Sequence, residues 1–179
     1  AAPTYVETGK LRVNGITSGQ GSYTVGGAGS NARLEGTGTL GLADGEMLTV
    51  ASGGSVAPGE SIGQLDVLGD LLFGDSATYV AEVDPAGQSD VLAVDGNVTL
   101  QSGSVLDVAG TAGSAAYVLM TYTGLLDGVF DIEHVPNGYF VDYGTRDNDQ
   151  VTVRLIPEPG TLALLAAGGL AALLRRRRH

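Results

Sequence analysis

Between Gly36 and Gly110 the chain runs in short stretches where apolar and polar residues alternate, each closed by a turn of Gly, Asp or Ser. Leu40 with Leu42, Leu48 with Val50, Leu65 with Val67, Leu92 with Val94, and Leu106 with Val108 fall two positions apart, with Thr, Asp or Gln between or beside them. A two-residue period is that of a β-strand with one buried face. It predicts strands over 38–42, 47–50, 64–67, 78–83, 90–94 and 104–108. Gly69-Asp70-Leu71-Leu72-Phe73 recurs as Gly96-Asn97-Val98-Thr99-Leu100, each followed by a turn and a second strand. Repetition at a period of roughly 20 to 30 residues favours a solenoid, in which each coil buries its inward side chains against the coils above and below. Short strands with frequent turns also fit a β-sandwich, which is the alternative fold. Farther on, Phe140–Tyr143 and Val151–Leu155 flank a polar loop and read as a β-hairpin that closes the last coil.

Composition supplies a reason for the turns. Glycine makes up 29 of 179 residues, about twice the usual ~7% share and without a Gly-X-Y period. Coil corners need residues that accept positive φ, and glycine does so without a Cβ clash. The absence of cysteine excludes a disulfide framework, a thiol nucleophile and any cysteine-ligated metal site.

Charge divides the chain. The net charge is −11, yet residues 1–174 carry five basic against twenty acidic side chains, and Arg175, Arg176, Arg177 and Arg178 follow at once. An acidic body offers no basic face for phosphates, so a nucleic-acid partner is excluded. Upstream of the arginines, residues 162–174 form an uncharged apolar run, about 20 Å as a helix and too short to cross a hydrocarbon core of about 30 Å. Started at Pro159 and extended to Arg178, the helix reaches about 30 Å, with the arginines snorkelling to the interface. The expectation is a single transmembrane helix with its arginines in the cytoplasm and the acidic body outside.

Pro157-Glu158-Pro159, a short apolar helix and a terminal arginine cluster together resemble the PEP-CTERM sorting signal of Gram-negative bacteria. The resemblance implies an exported protein recognised by a membrane peptidase, the exosortase, near Pro157, Glu158 and Pro159, with Arg175 to Arg178 orienting the helix. Two prolines around a glutamate break regular structure and leave an extended, protease-accessible segment. Residues 36–155 are similar to the C-terminal part of autotransporter-type passenger β-helices, through Ala57-Pro58-Gly59-Glu60-Ser61-Ile62-Gly63, Gly69-Asp70-Leu71, Gly87-Gln88-Ser89-Asp90 and Tyr117–Thr121. A single helix stands where that family carries a membrane barrel, so self-transport is not implied.

The chain thus divides into a glycine-rich segment, 1–35, which could be the end of upstream coils; a body, 36–155, forming a right-handed parallel β-helix with a hairpin cap; and a sorting signal, 156–179. It starts Ala1-Ala2-Pro3 without methionine, as a mature form or a piece of a longer chain would.

Candidate chemistry is sparse. His134, the body's one histidine, reads as an ordinary loop residue rather than part of a triad. Asp66, Glu82, Asp84 and Asp107 could form an outward row of acids of the kind used by carbohydrate-active β-helix enzymes, but read more simply as solvated strand positions. Gly26–Asn31 is a single degraded copy of a calcium nonapeptide and reads as a glycine turn, as does Asp147-Asn148-Asp149. No catalytic residue, metal ligand or cofactor is assigned. The expectation is a noncatalytic exported protein of the cell surface or extracellular matrix, associated with exopolysaccharide or biofilm. The rivals are a carbohydrate-active enzyme and a permanently anchored inner-membrane protein.

Overall fold

The computed structural model describes residues 2–144 and 149–157, and within them every element is a strand. Three strands make each coil. The first coil is β1 (Thr4–Val6), β2 (Lys10–Arg12) and β3 (Ile16–Gln20), and the second is β4 (Tyr23–Val25), β5 (Arg33–Gly36) and β6 (Thr39–Leu42). The third is β7 (Met47–Val50), β8 (Ser55–Pro58) and β9 (Gln64–Leu68), and the fourth β10 (Asp70–Phe73), β11 (Thr78–Val83) and β12 (Val91–Asp95). The fifth is β13 (Val98–Leu100), β14 (Val105–Gly110) and β15 (Ala116–Tyr122). β16 (Leu126–Asp127) and β17 (Ile132–His134) begin a sixth coil, which β18 (Tyr139–Asp142) and β19 (Gln150–Leu155) complete as a hairpin.

Stacking the coils generates three sheets. The first runs β1-β4-β7-β10-β13-β16, the second β2-β5-β8-β11-β14-β17, and the third β3-β6-β9-β12-β15-β19-β18. All ladders are parallel except the last two, β15 with β19 and β19 with β18. That arrangement is a β-solenoid of about five turns and rules out the sandwich, whose sheets are built from antiparallel strands. The recurrence of Gly69–Phe73 as Gly96–Leu100 is a true ladder: Leu71 pairs with Val98 and Phe73 with Leu100. Residues 2–35 contribute all of the first coil and open the second, so the glycine-rich segment is itself coiled.

Inward residues stack from coil to coil. Leu48, Leu71 and Val98 follow one another in the first sheet, and Leu34, Val56, Tyr79 and Leu106 in the second, all at or near zero exposure. Aromatic rings close the core toward the C-terminal end: Phe73 meets Phe130 edge-on at 5.6 Å, and Phe130 lies 6.5 Å from Tyr143. The fully buried Tyr79 hydroxyl donates to the carbonyl of Leu119, and burial pushes its pKa well up. Strict alternation fails in several strands, as at Val56 and Ala57 in β8 and at Leu119 and Met120 in β15, each a pair of consecutive buried residues. The ladder between β15 and β19 shifts register between Val118 and Met120, and such a bulge turns two consecutive side chains inward.

Corners show why glycine is frequent. Gly69, Gly96 and Gly124 stand at the same corner of successive coils, and a Cβ on Gly96 would sit 2.5 Å from the Gly69 carbonyl oxygen. The same corner carries a polar ladder. Asp70 accepts from the Asn97 backbone N–H (2.8 Å) and side-chain amide (3.1 Å), while Asn97 Oδ1 accepts from Leu125 N–H at 2.9 Å.

Candidate functional site: the sorting segment and two surface clefts

β19 ends at Leu155, where the candidate sorting segment begins. The Leu155 N–H donates to the Ala115 carbonyl at 3.0 Å, and the Ile156 N–H donates to the Gly138 carbonyl at 2.7 Å. The hairpin cap therefore holds the backbone up to the residue before Pro157. Leu155 and Ile156 are about half exposed, and Pro157 is exposed. Ordered body and sorting segment thus abut without an intervening linker. Glu158, Pro159 and Arg175 to Arg178, together with the transmembrane helix expected over them, lie outside the described residues. Among the described residues no helix is long and apolar enough to cross a membrane.

Three of the five basic residues of the body converge on one carboxylate. A single coil step sets Lys10 beside Arg33 and Arg12 beside Glu35 on the outer face of the second sheet. Glu35, 4% exposed, accepts from Arg12 Nη2 at 2.7 Å and Arg33 Nε at 3.1 Å, and Lys10 Nζ lies 3.3 Å away. The Arg12 hydrogen bond, aided by Lys10, holds its carboxyl below the usual carboxylate range. Arg12 also pairs with Glu60. These side chains border a cleft of about 150 Å³ that also reaches Glu82 and Asp90. Asp90, 2% exposed, accepts from Gly63 N–H at 2.8 Å and Glu82 N–H at 2.9 Å. Burial pushes its carboxyl up to about 6 despite those two donors. Both oxygens serve the backbone, so Asp90 staples the end of β11 to the loop before β9. Alternation does not reveal this cluster, but the likeness of Lys10-Leu11-Arg12 to Arg33-Leu34-Glu35, one coil later, could have.

The acids read as a possible row do not form one. Asp66 is on the third sheet, Glu82 and Asp107 on the second, and Asp84 in the turn after β11. Period two fixes which face a residue takes, but not which of three sheets it joins. His134 is exposed on β17, opposite Asp107. A Gly-x-Ser-x-Gly pattern, Gly59-Glu60-Ser61-Ile62-Gly63, also occurs, on the corner between β8 and β9. A nucleophile elbow needs a strand, a sharp turn and a helix. Here a strand follows. His134 is three ladder steps from β8, about 14 Å along the solenoid axis. Gly26–Asn31 is likewise a corner: Gly26 N–H donates to the Val6 carbonyl and Gly27 N–H to that of Ser52, joining the second coil to the first and third. Asp147 and Asn148 lie outside the described residues.

The third sheet presents a groove of about 490 Å³ on its outer face. Its spine is the ladder column Ile16, Thr39, Asp66, Ala93 and Thr121, one residue per coil, with Leu68 and Asp95 beside it. Ile16 is 82% exposed and Leu68 46%. Asp66 accepts from Gln64 Nε2 (2.7 Å) and Thr39 Oγ1 (3.4 Å), and Asp95 from Thr123 Oγ1 (2.8 Å).

Comparison with known proteins adds two findings. Residues 155–178 match the family model described as the PEP-CTERM protein-sorting motif. A curated protein described as an extracellular serine protease, from Serratia marcescens, is 36% identical over 103 residues, 57% of this chain and 9% of that protein. The chain therefore spans about a tenth of the length of this relative. The sorting motif implies an exported protein processed by an exosortase.

Proposed function

We propose that this chain is a noncatalytic surface protein, a solenoid body delivered to the cell surface or extracellular matrix by its sorting tail. The observation that carries this reading is the coincidence of boundaries: the motif match starts at Leu155, the last residue of β19. The tail helix crosses the inner membrane during export, with Arg175 to Arg178 on the cytoplasmic side. The exosortase then acts near Pro157, Glu158 and Pro159, and the released body associates with exopolysaccharide in a biofilm matrix. The noncatalytic reading is supported by the cations of the charged cleft, which are engaged by Glu35 and Glu60, and by Asp90, whose oxygens are taken by backbone donors.

The test replaces Pro157, Glu158 and Pro159 by alanine in a host that has the sorting machinery. Processing and release, followed by fractionation and by the mass of the body, should fall sharply while the body stays folded. Unchanged processing would leave the chain as a permanently anchored membrane protein.

A further inference from the structure

The groove on the third sheet has the chemistry of a sugar-chain site. A pyranose ring presents C–H groups on its faces and hydrogen-bonding groups around its rim, so it is held by apolar contacts below and polar acceptors beside. Ile16, Leu68 and Ala93 offer the apolar contacts, and Asp66 and Asp95 the acceptors. Each carboxylate is oriented by neighbours, Asp66 by Thr39 and Gln64 and Asp95 by Thr123, yet neither is ion-paired among the described residues. Because Asp66 stands opposite Ala93 and Leu68 opposite Asp95, the two acids lie diagonally on adjacent strands, roughly 8 Å apart by ladder geometry.

Shape and charge narrow the ligand. The column crosses five strands, and four ladder steps of about 4.8 Å make it about 19 Å long, an elongated shape that suits an extended chain rather than a single ring. No basic side chain lines the groove among the described residues, so uronate chains would be repelled and protonated amines attracted. We propose that this groove binds an extended amino-sugar polysaccharide carrying free ammonium groups, with Asp66 and Asp95 pairing two of them. The proposal rests on the reading of the chain as a matrix-associated surface protein and names the glycan class of that association.

Calorimetry on the full chain at mildly acid pH, where glucosamine is protonated, tests it with β-linked oligomers of glucosamine, glucose and galacturonic acid. The glucosamine oligomer should bind, more weakly as salt rises, and ahead of the other two. Asp66→Asn with Asp95→Asn should weaken it about tenfold, the effect of losing two partly exposed ion pairs. Glu7→Gln with Asp75→Asn removes equal charge away from the third sheet and should leave affinity unchanged. Ala93→Arg, an outward substitution that fills the floor, should abolish binding while circular dichroism stays that of the native fold. The proposal is overturned by no binding, by equal affinity for the glucose oligomer, by an equal loss in the charge control, or by undiminished binding to Ala93→Arg. Failed binding with intact tail processing removes the groove assignment alone; lost dependence on the proline-glutamate-proline segment removes the sorting reading instead.

Discussion

Two buried carboxylates respond to pH in opposite senses. Glu35, among three cations, titrates below its ordinary range, so its stabilisation is present at neutral pH and is lost as pH falls through its folded value. Asp90 is raised from 3.8 to about 6, so the folded state holds its proton more tightly than the unfolded chain does. Its ionisation therefore lowers stability as pH rises between about 4 and 6, and the penalty is complete above 6. Asp90→Ala orphans the N–H groups of Gly63 and Glu82 and should cost about 2 to 3 kcal/mol at acid pH. Urea denaturation of both proteins across pH 4 to 7 should show the gap between them narrowing upward through pH 6. A gap that widens over that window would mean that the two backbone donors outweigh burial. The Glu35 cluster had a trace in the sequence, the likeness of Lys10-Leu11-Arg12 to Arg33-Leu34-Glu35, whereas Asp90 looks like any strand-edge acid until the coil closes over it.

Strands were the readable elements. Leu65 with Val67 and Leu92 with Val94 occupy the inward face that their spacing predicts, and Phe140–Tyr143 with Val151–Leu155 form the antiparallel closing hairpin. Alternation reports burial on one face, which any solenoid strand satisfies, so these stretches identified themselves. Corners were readable as glycine, but not as to which glycine is indispensable. Gly96→Ala places a methyl group against the Gly69 carbonyl and should cost at least about 2 kcal/mol. At Gly45, where a Cβ meets nothing within 4 Å, the same change encounters only the strain of positive φ. Gly96 does not have positive φ, so the two changes separate contact from backbone strain: thermal melts should show the larger drop for Gly96→Ala, and a drop no larger than that of Gly45→Ala would mean that the corner gives way to the methyl group at little cost.

A solenoid's stability is the sum of its coils and their interfaces, so protection should vary along the axis. Coils two to five have neighbours on both sides, with coil two next to the end, whereas β1, β2 and β3 are paired on one side within the described residues. Hydrogen exchange followed by mass spectrometry should find the amides of β7 to β14 slowest and those of β1 to β3 fastest; uniform protection would mean that the stack unfolds as one unit. The antiparallel β19 gives β15 its second partner, and the Tyr143 hydroxyl, which accepts from Phe130 N–H and donates to Glu133, ties the hairpin to the sixth coil.

Period-two alternation, the recurrence of Gly69–Phe73 at Gly96–Leu100, abundant glycine and the terminal signal were local properties, and local order alone determined strands, turns, a stacked architecture and the export tag. Which residues meet across coils depends on how much chain each corner absorbs. The step from Leu34 to Val56 is shorter than that from Leu11 to Leu34, and both are shorter than that from Tyr79 to Leu106. Those unequal steps, settled only when the coils stack, gathered Lys10, Arg12 and Arg33 around Glu35, dispersed Asp66, Glu82 and Asp107, and aligned Ile16, Thr39, Asp66, Ala93 and Thr121 into one groove.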